Sequence, residues 1–330
     1  MNESRNEIIE GVARAIKEHR RFLIATHVRP DGDAVGALLG MAAILDRMGK
    51  EPTPACQDNL PPGYEFLLDG EIVHRRIPDP APFDAAILVD CGEVERVGEE
   101  LAGTVRRVPL VINIDHHATH APFGRVSWVE PSASSTCEML YDLLPRLGVE
   151  LDARIAARLY TGVMTDTGSF RFANTNRRVF EVSTELVRAG ADPARIAARV
   201  YDSSSPERLL LLARVLSTVS YHDGHRLAVA EMSQKMFRET GADPVDSEGF
   251  INLLRSVKSV RMAMFVREEA DGSVRVSLRS KEGVDVAAFA QRYGGGGHRQ
   301  AAALRVSGAL KRVRRELVRD ALACLKGGDS

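Results

Sequence analysis

Continuous apolar runs, with no alternation of period two, dominate the first third of the chain: Phe22-Leu23-Ile24-Ala25, Ala85-Ala86-Ile87-Leu88-Val89, and Leu110 to Ile114 with one interruption at Asn113. Runs of this kind predict strands buried on both faces, as in a parallel sheet covered by helices. Helical spacing alternates with them, over Ile8 to Lys17, Ala37 to Met48 with a stop at Gly49, Ser134 to Leu147, and Asp152 to Met164. Pro52 to Ala55 and Ile72-Val73 predict two further short strands. The helical pattern continues through Arg178 to Ala189, Pro193 to Tyr201 and Pro206 to Ser217. Shorter elements follow: strands are expected over Arg226 to Met232, Val260 to Arg267 and Ser273 to Arg279, and helices over Asp285 to Gln291 and Leu310 to Cys324. The expected fold class is α/β. An N-terminal domain over residues 1–189 has a mainly parallel sheet flanked by helices, 190–217 is a helical connector, and 218–330 is a smaller C-terminal α/β domain.

What the apolar runs lead into matters more than the runs themselves. The first enters Thr26-His27-Val28-Arg29-Pro30-Asp31-Gly32-Asp33, the second ends at Asp90, and the third ends at Asp115-His116-His117; Asp166 follows the helical stretch Asp152 to Met164. In open α/β sheets, ligands bind in the crevice beyond the carboxyl ends of the strands. Asp31-Gly32-Asp33 alone has a competing account as a turn and helix N-cap, because aspartate bonds nearby backbone N–H groups. An EF-hand is excluded, since the closing glutamate is replaced by the apolar helix around Ile44 and Leu45. The remaining carboxylates shift the balance: burying them unpaired is costly, and two divalent cations would neutralise them. Mixed carboxylate and imidazole donors suit Mn²⁺, Mg²⁺, Fe²⁺ or Co²⁺, and paired metals of this kind serve phosphoryl displacement.

Composition narrows the setting. With 330 residues, 44% of them hydrophobic and 27% charged, the chain is of an ordinary globular kind with room for two cores. No apolar run approaches the roughly 20 residues that span a bilayer, and Met1-Asn2-Glu3-Ser4-Arg5 lacks the apolar stretch of a signal peptide. A cytoplasmic location without a membrane partner is expected. Cys56, Cys91, Cys137 and Cys324 form no metal-binding or disulfide spacing and read as reduced packing residues. The net charge of -1 argues against a protein that coats long nucleic acid, but the charge is uneven. From Leu211 onward there are 20 Lys and Arg against 14 Asp and Glu, a net of +6 that leaves -7 for the rest. An acidic segment suited to cations is joined to a basic one suited to anions.

The basic part carries Tyr293-Gly294-Gly295-Gly296-Gly297-His298-Arg299-Gln300-Ala301. Four glycines alone are consistent with a flexible turn. Followed by the helix-compatible Gln300 to Ala303, they would let the backbone approach a phosphate or sugar. Arg279 is suited to bidentate phosphate contact. Arg171, after Thr167-Gly168-Ser169, is a candidate either for substrate contact or for a surface ion pair. Trp128 and Tyr293 are candidates for base stacking or for core packing.

Taken together, His27-x3-Asp31-x-Asp33, Asp90, Asp115-His116-His117 and Asp166 resemble the four motifs of the DHH phosphoesterase superfamily. Arg279-Ser280 and Gly294-Gly295-Gly296-Gly297-His298 resemble the associated DHHA1 substrate-binding domain. The likeness covers most of the chain and is greatest to the nanoRNase branch of bifunctional oligoribonucleases and pAp phosphatases. It implies one metal on His27 and Asp31, another on Asp33 and His116, and Asp90 and Asp166 contacting both. Mn²⁺ is the first expectation, with Mg²⁺ or Co²⁺ as alternatives. His117 would touch the phosphate or protonate the leaving oxygen, Asp115 would orient an imidazole, and Asp90 and Asp166 would share in catalysis. Arg279, Ser280, Gly296 and His298 would bind substrate, joined by Arg171 and by His120, which stands where many relatives carry asparagine.

The implied activity is degradation of very short RNA oligonucleotides to nucleoside monophosphates and dephosphorylation of 3'-phosphoadenosine-5'-phosphate (pAp). The alternative within the superfamily is a phosphodiesterase for cyclic or linear dinucleotides such as c-di-AMP or pApA. RecJ-type exonucleases are usually longer, and inorganic pyrophosphatases share only the N-terminal motifs. A non-catalytic nucleotide-sensing module is the alternative of a different class, and the complete set of ligand positions stands against it. The likeness also implies a homodimer.

Overall fold

The apolar runs form the middle of a parallel sheet in the computed structural model, which describes residues 4–78, 83–117, 123–202, 204–281 and 283–327. The chain divides into two compact units, Met1–Ser203 and Ser204–Ser330. The first contains α1 (Arg5–Glu18), β1 (Arg21–Ala25), α2 (Gly32–Arg47), β2 (Glu51–Ala55), β3 (Ala85–Val89), α3 (Glu99–Val105), β4 (Val111–Asp115) and β5 (Val126–Val129). Helices α4 (Thr136–Leu147), α5 (Ala153–Asp166), α6 (Arg177–Arg188) and α7 (Pro193–Tyr201) complete it. The strand order is β2-β1-β3-β4-β5, every pair parallel. Both faces of the sheet are covered: residues of α1, α2, α4, α5 and α6 pack with Phe22, Ile24, Ile87 and Ile112, and residues of α3 pack with Leu23, Ala86 and Leu88 on the other side.

Two local expectations change. Helix α2 begins at Gly32, not Ala37, because Asp31 is its N-cap and accepts a hydrogen bond from the Ala34 amide at 3.0 Å. Ile72-Val73 is not a strand; pairing there is limited to a single bridge between His74 and Ala55. Trp128 is buried in the core, and Cys56, Cys91 and Cys137 are buried free thiols.

A glycine ridge closes α2 onto α5. Gly32, Gly36 and Gly40, four residues apart, face Thr165, Arg158 and Leu159, and a Cβ at Gly36 would lie 2.6 Å from the Arg158 carbonyl oxygen. Helices without side chains at the contact approach closely. The first turn of α2, with Asp33, and the last turn of α5, with Asp166, therefore meet.

The second unit contains α8 (Pro206–Leu216), β6 (Ser220–His222), β7 (Leu227–Met232), α9 (Gln234–Thr240), α10 (Phe250–Ser256), β8 (Met262–Glu268), β9 (Ser273–Ser280), α11 (Val286–Gln291), β10 (Gly296–His298), β11 (Ala301–Ser307) and α12 (Leu310–Gly327). Its sheet runs β10-β11-β9-β8-β7-β6, antiparallel except between β7 and β8. The segment after the glycines is strand β11, not helix. Pairing of Ala301–Ser307 with β9 and burial of Ala302 and Leu304 override the helical preference of its alanines. Among the described residues no helix is long and apolar enough to cross a membrane.

Candidate metal centre

Strand β1 has β2 on one side and β3 on the other, so the connections leaving β1 and β3 part and open a crevice at their carboxyl ends. His27 follows β1 and Asp90 follows β3, and His27 Nε2 lies 3.5 Å from Asp90 Oδ2. Strand β4 ends in Asp115 and delivers His116 and His117 beside them. His116 Nε2 is 3.5 Å from Asp166 Oδ2, 3.6 Å from Asp90 Oδ1 and 3.9 Å from Asp33 Oδ2. Two sets of donor atoms, His27-Asp31-Asp90 and Asp90-His116-His117, each lie within 4.8 Å of one another, and Asp90 belongs to both.

The backbone aims Asp90 deliberately. Its φ of 53° is in the left-handed region, which aspartate tolerates better than most residues. Its amide donates to the Ile114 carbonyl at 3.0 Å. The next carbonyl, that of Cys91, accepts from Asn113 Nδ2 at 2.9 Å, and Ser127 Oγ donates to Asn113 Oδ1 at 3.2 Å. The polar interruption in the third apolar run thus fastens the turn after β3.

Each imidazole has one nitrogen anchored. His27 Nδ1 lies 2.9 Å from the Val28 carbonyl oxygen and His116 Nδ1 lies 3.4 Å from that of Ala133. A carbonyl only accepts, so Nδ1 carries the proton and Nε2 faces the carboxylates, as in metal-binding histidines. His117 differs: its Nδ1 is 2.7 Å from Asp115 Oδ1. The imidazole that the buried Asp115 orients is that of His117.

Asp33 is held by a helix start. Its Oδ2 accepts from the Thr136 amide at 2.7 Å and its Oδ1 from the Cys137 amide at 3.1 Å, both in the first turn of α4, where orphan N–H groups and the helix dipole favour an anion. Thr136 Oγ1 also donates to Asp90 Oδ1 at 3.1 Å. Sequence reasoning missed Thr136 and Cys137. The run Ser134-Ser135-Thr136 before an apolar helix was the available signal, an N-cap signature whose free amides had to point somewhere.

Burial, then repulsion from Asp90 and Asp166, pushes the Asp33 carboxyl well above its ordinary value. Burial also raises Asp166, to about 7, with Asp31 and Asp90 adding to it against the pull of His116. Burial opposes protonation of His116, yet Asp33, Asp90 and Asp166 raise it to about 9. Asp90 moves the other way: burial would raise it, but the His27 hydrogen bond and the charges of His116 and His117 hold it below the ordinary carboxylate range. Among the described residues the ion pairs of Asp33, Asp90 and Asp166 are all with imidazoles. A crevice with this excess of carboxylate over cationic side chains fits divalent metal, and its oxygen and nitrogen donors contain no thiolate.

Asp166 is the last residue of α5, a helix end and not a strand end. Gly168, Ser169 and Phe170 follow with φ of 58°, 59° and 62°, a left-handed turn that costs an L residue about 1 kcal/mol or more per position. Thr167 Oγ1 accepts from the Phe170 amide at 3.2 Å, the Phe170 ring stacks on Phe180 at 5.6 Å, and Asn174 Nδ2 donates to the Asp166 carbonyl at 3.2 Å. Arg171 is exposed, and its Nε donates to the Gly168 carbonyl at 2.6 Å. Among the described residues it makes no ion pair.

The residues of the second unit are placed differently. Arg279, on β9, is half-buried and pushed below its ordinary value by burial and then by the charge of Arg255; its Nη1 donates to the Leu278 carbonyl at 3.0 Å. Ser280 is fully buried, and its hydroxyl donates to the Val284 carbonyl at 2.8 Å, so its own fold already uses it. A Cβ at Gly295 or Gly297 would meet the carbonyl oxygens of Ala303 and Ala301 at 2.3 and 2.5 Å, whereas one at Gly296 would meet nothing within 4 Å. The close approach these glycines permit is that of β11. Tyr293 packs on Phe289 and donates its hydroxyl to Asp320 at 2.5 Å. His298 contributes backbone to β10, opposite Ala301; its side chain, and the whole of His120, lie outside the described residues.

A parallel sheet whose strand ends gather aspartates and histidines, followed by a mixed-sheet unit with a glycine strand, defines the class: the chain belongs to the DHH family. It matches the family's N-terminal domain over residues 21–163 and the DHHA1 domain over residues 224–327. Among individual proteins, it is 38% identical over 307 residues to the bifunctional oligoribonuclease and PAP phosphatase NrnA of Thermus thermophilus, covering 90% of each chain. The protein of the same name from Bacillus subtilis is 27% identical, over 86% of this chain and 89% of that one. The crystal structure of an exopolyphosphatase-related protein from Bacteroides fragilis matches with a TM-score of 0.89 at 27% identity, over 96% of each chain.

Proposed function

We propose that the chain is a cytoplasmic metal-dependent phosphohydrolase that degrades very short RNA to nucleoside monophosphates and removes the 3'-phosphate of pAp. The observation that carries this reading is the position of Asp90, shared by two donor sets at the β1/β3 crevice. The names of the relatives from Thermus thermophilus and Bacillus subtilis support the substrate class. His27 and Asp31 would hold one divalent cation, Mn²⁺ by first expectation, Asp33 and His116 would hold the other, and Asp90 and Asp166 would contribute to both. When bound, such cations activate water and offset charge on the phosphoryl oxygens. His117 donates a proton to the leaving oxygen. Asp115 fixes its Nδ1–H, and burial, which opposes the charged imidazole, is outweighed by Asp115 and Asp90, which raise the His117 pKa. Arg279, with the glycine strand at Gly296 and His298, grips the nucleotide.

The test offers the purified, Mn²⁺-loaded protein pAp, an RNA dinucleotide, a long RNA strand and cyclic di-AMP side by side. Turnover of pAp and the dinucleotide well above that of the long strand is expected. Turnover of cyclic di-AMP alone would assign the dinucleotide phosphodiesterase, and no turnover with metal bound would assign the sensor.

A further inference from the structure

The glycine strand β10 is one edge of the second sheet, and β6 is the other. Five strand spacings separate them, about 24 Å at ~4.8 Å each. At the β6 edge lies a cavity of about 470 Å³ lined by His222 of β6, Glu231 of β7, and Lys311, Arg314 and Arg315 of α12. Ligand pockets commonly enclose roughly 300–1,000 Å³. The lining sets three fixed cations against one carboxylate.

The three cations are not equivalent. Arg314 is oriented by the fold, its Nη2 donating to Ser220 Oγ at 2.7 Å and its Nε lying 3.3 Å from Glu231 Oε2. Lys311 and Arg315, four residues apart and so on one face of the helix, have no carboxylate partner among the described residues. All three fall in the first two turns of an 18-residue helix whose first turn contains no acidic residue. Cations there oppose the helix dipole, whose N-terminal end is itself positive. Burial, and then the charge of Arg314, lowers the pKa of His222. A bound anion relieves the repulsion among the cations and the conflict with the dipole together.

We propose that this cavity is a second phosphate-binding site, which takes a nucleotide phosphate on Lys311 and Arg315 with Arg314 held ready beside them, apart from Arg279 and the glycine strand. The choice of a nucleotide rests on the proposed activity, whose substrates and products all carry phosphate. Recognition of the phosphate itself rests on the cations. Arg279 lies on β9, three strand spacings from β6, and its side chain leaves the sheet on the face opposite Leu278, which packs with Val313 and Leu317 of α12. The sheet stands between a mononucleotide in this cavity and the one held by Arg279.

The test is acetylation footprinting of Lys311, read by mass spectrometry on the full metal-free chain, with AMP and a short RNA as probes at millimolar concentration. Several-fold slower acetylation of Lys311 with AMP is expected, with Lys235 unaffected. The protection should persist in Arg279→Ala and disappear in both Arg315→Ala and Arg315→Gln, two exposed changes of differing bulk. Protection by RNA but not AMP, again surviving Arg279→Ala, would keep the phosphate site and identify its ligand as a strand. No protection by either probe, or protection lost in Arg279→Ala, overturns the proposal. Failure of the Mn²⁺-loaded protein to cleave pAp or RNA would overturn the activity and leave this footprint as it stands.

Discussion

In the first unit, Asp33, Asp90 and Asp166 stand 3.5–3.9 Å from one imidazole nitrogen, and Asp33 and Asp166 are held protonated well above the ordinary range. In the second, Ser280 donates to Val284 and the glycines make room for β11. The first arrangement is incomplete by its own electrostatics, whereas most of the second is complete. Residual charge that the fold leaves unbalanced points to a ligand, and a polar group already satisfied points to architecture. By that measure Arg279 belongs with the strand-end cluster and Ser280 does not.

The sharpest way to break the contrast is Asp90→Ala. Loss of the one carboxylate common to both donor sets is expected to lower kcat/KM by at least ~10³-fold, about 4 kcal/mol of transition-state stabilisation. Metal content, measured on the desalted protein, should fall in parallel. A near-normal rate with full metal content would remove Asp90 from the centre.

Protons should report the same imbalance. Burial with Asp31 and Asp90 raises Asp166 from 3.8 to about 7, and the surrounding aspartates, against burial, raise His116 from 6.5 to about 9. Both folded values exceed the unfolded ones, so their stabilisation is full below the unfolded pKa and is lost as pH rises through the folded value. Asp33 acts in the same sense. Asp90, held low, acts oppositely, and its contribution is lost only in acid. From about pH 4 to about pH 9 these raised groups should make the metal-free fold less stable. Divalent metal competes with the protons they shed, so the rise in Tm on adding Mn²⁺ should be larger near pH 8 than near pH 5. An increment independent of pH would mean that the metal does not displace them.

Arg279→Ala probes the exception in the second unit. Loss of a charged hydrogen bond to phosphate, about 1.5–3 kcal/mol, predicts a KM roughly 10- to 100-fold higher with kcat little changed. An unchanged KM for both pAp and RNA would return Arg279 to architecture.

How much of this was legible in the chain depended on whether a group's partner was local. His27, Asp90 and Asp115 were plain because each stands at the end of a largely apolar run, and a parallel sheet exposes that end. The early start of α2 was hidden because Asp31 serves as N-cap and metal candidate together, and the apolar pattern begins only after it. Strand β11 was read as helix-compatible because alanine leaves no visible alternation between buried and exposed faces. The amides that hold Asp33 lie more than a hundred residues away, on Thr136 and Cys137, and no local spacing encodes such a pairing. Asn113 stood in view as the single polar break in a buried strand, but its partner, the Cys91 carbonyl, exists only once β3 and β4 pair.

The smallest expected effect separates architecture from binding on the two strands that flank β11. Ser280→Ala removes a buried donor and leaves the Val284 carbonyl unpaired, which should cost about 1–3 kcal/mol of stability, read as a lower denaturant midpoint, with KM unchanged. Gly296→Ala should do the reverse. Its φ is not in the left-handed region and the added methyl meets nothing within 4 Å, so stability should be nearly unaltered. If a nucleotide lies against that open backbone, the methyl occupies its place, and KM should rise several-fold. A Ser280→Ala enzyme of normal stability with raised KM would show that the hydroxyl leaves Val284 for the substrate. Gly296→Ala with normal KM would mean that the glycine strand serves only to admit β11.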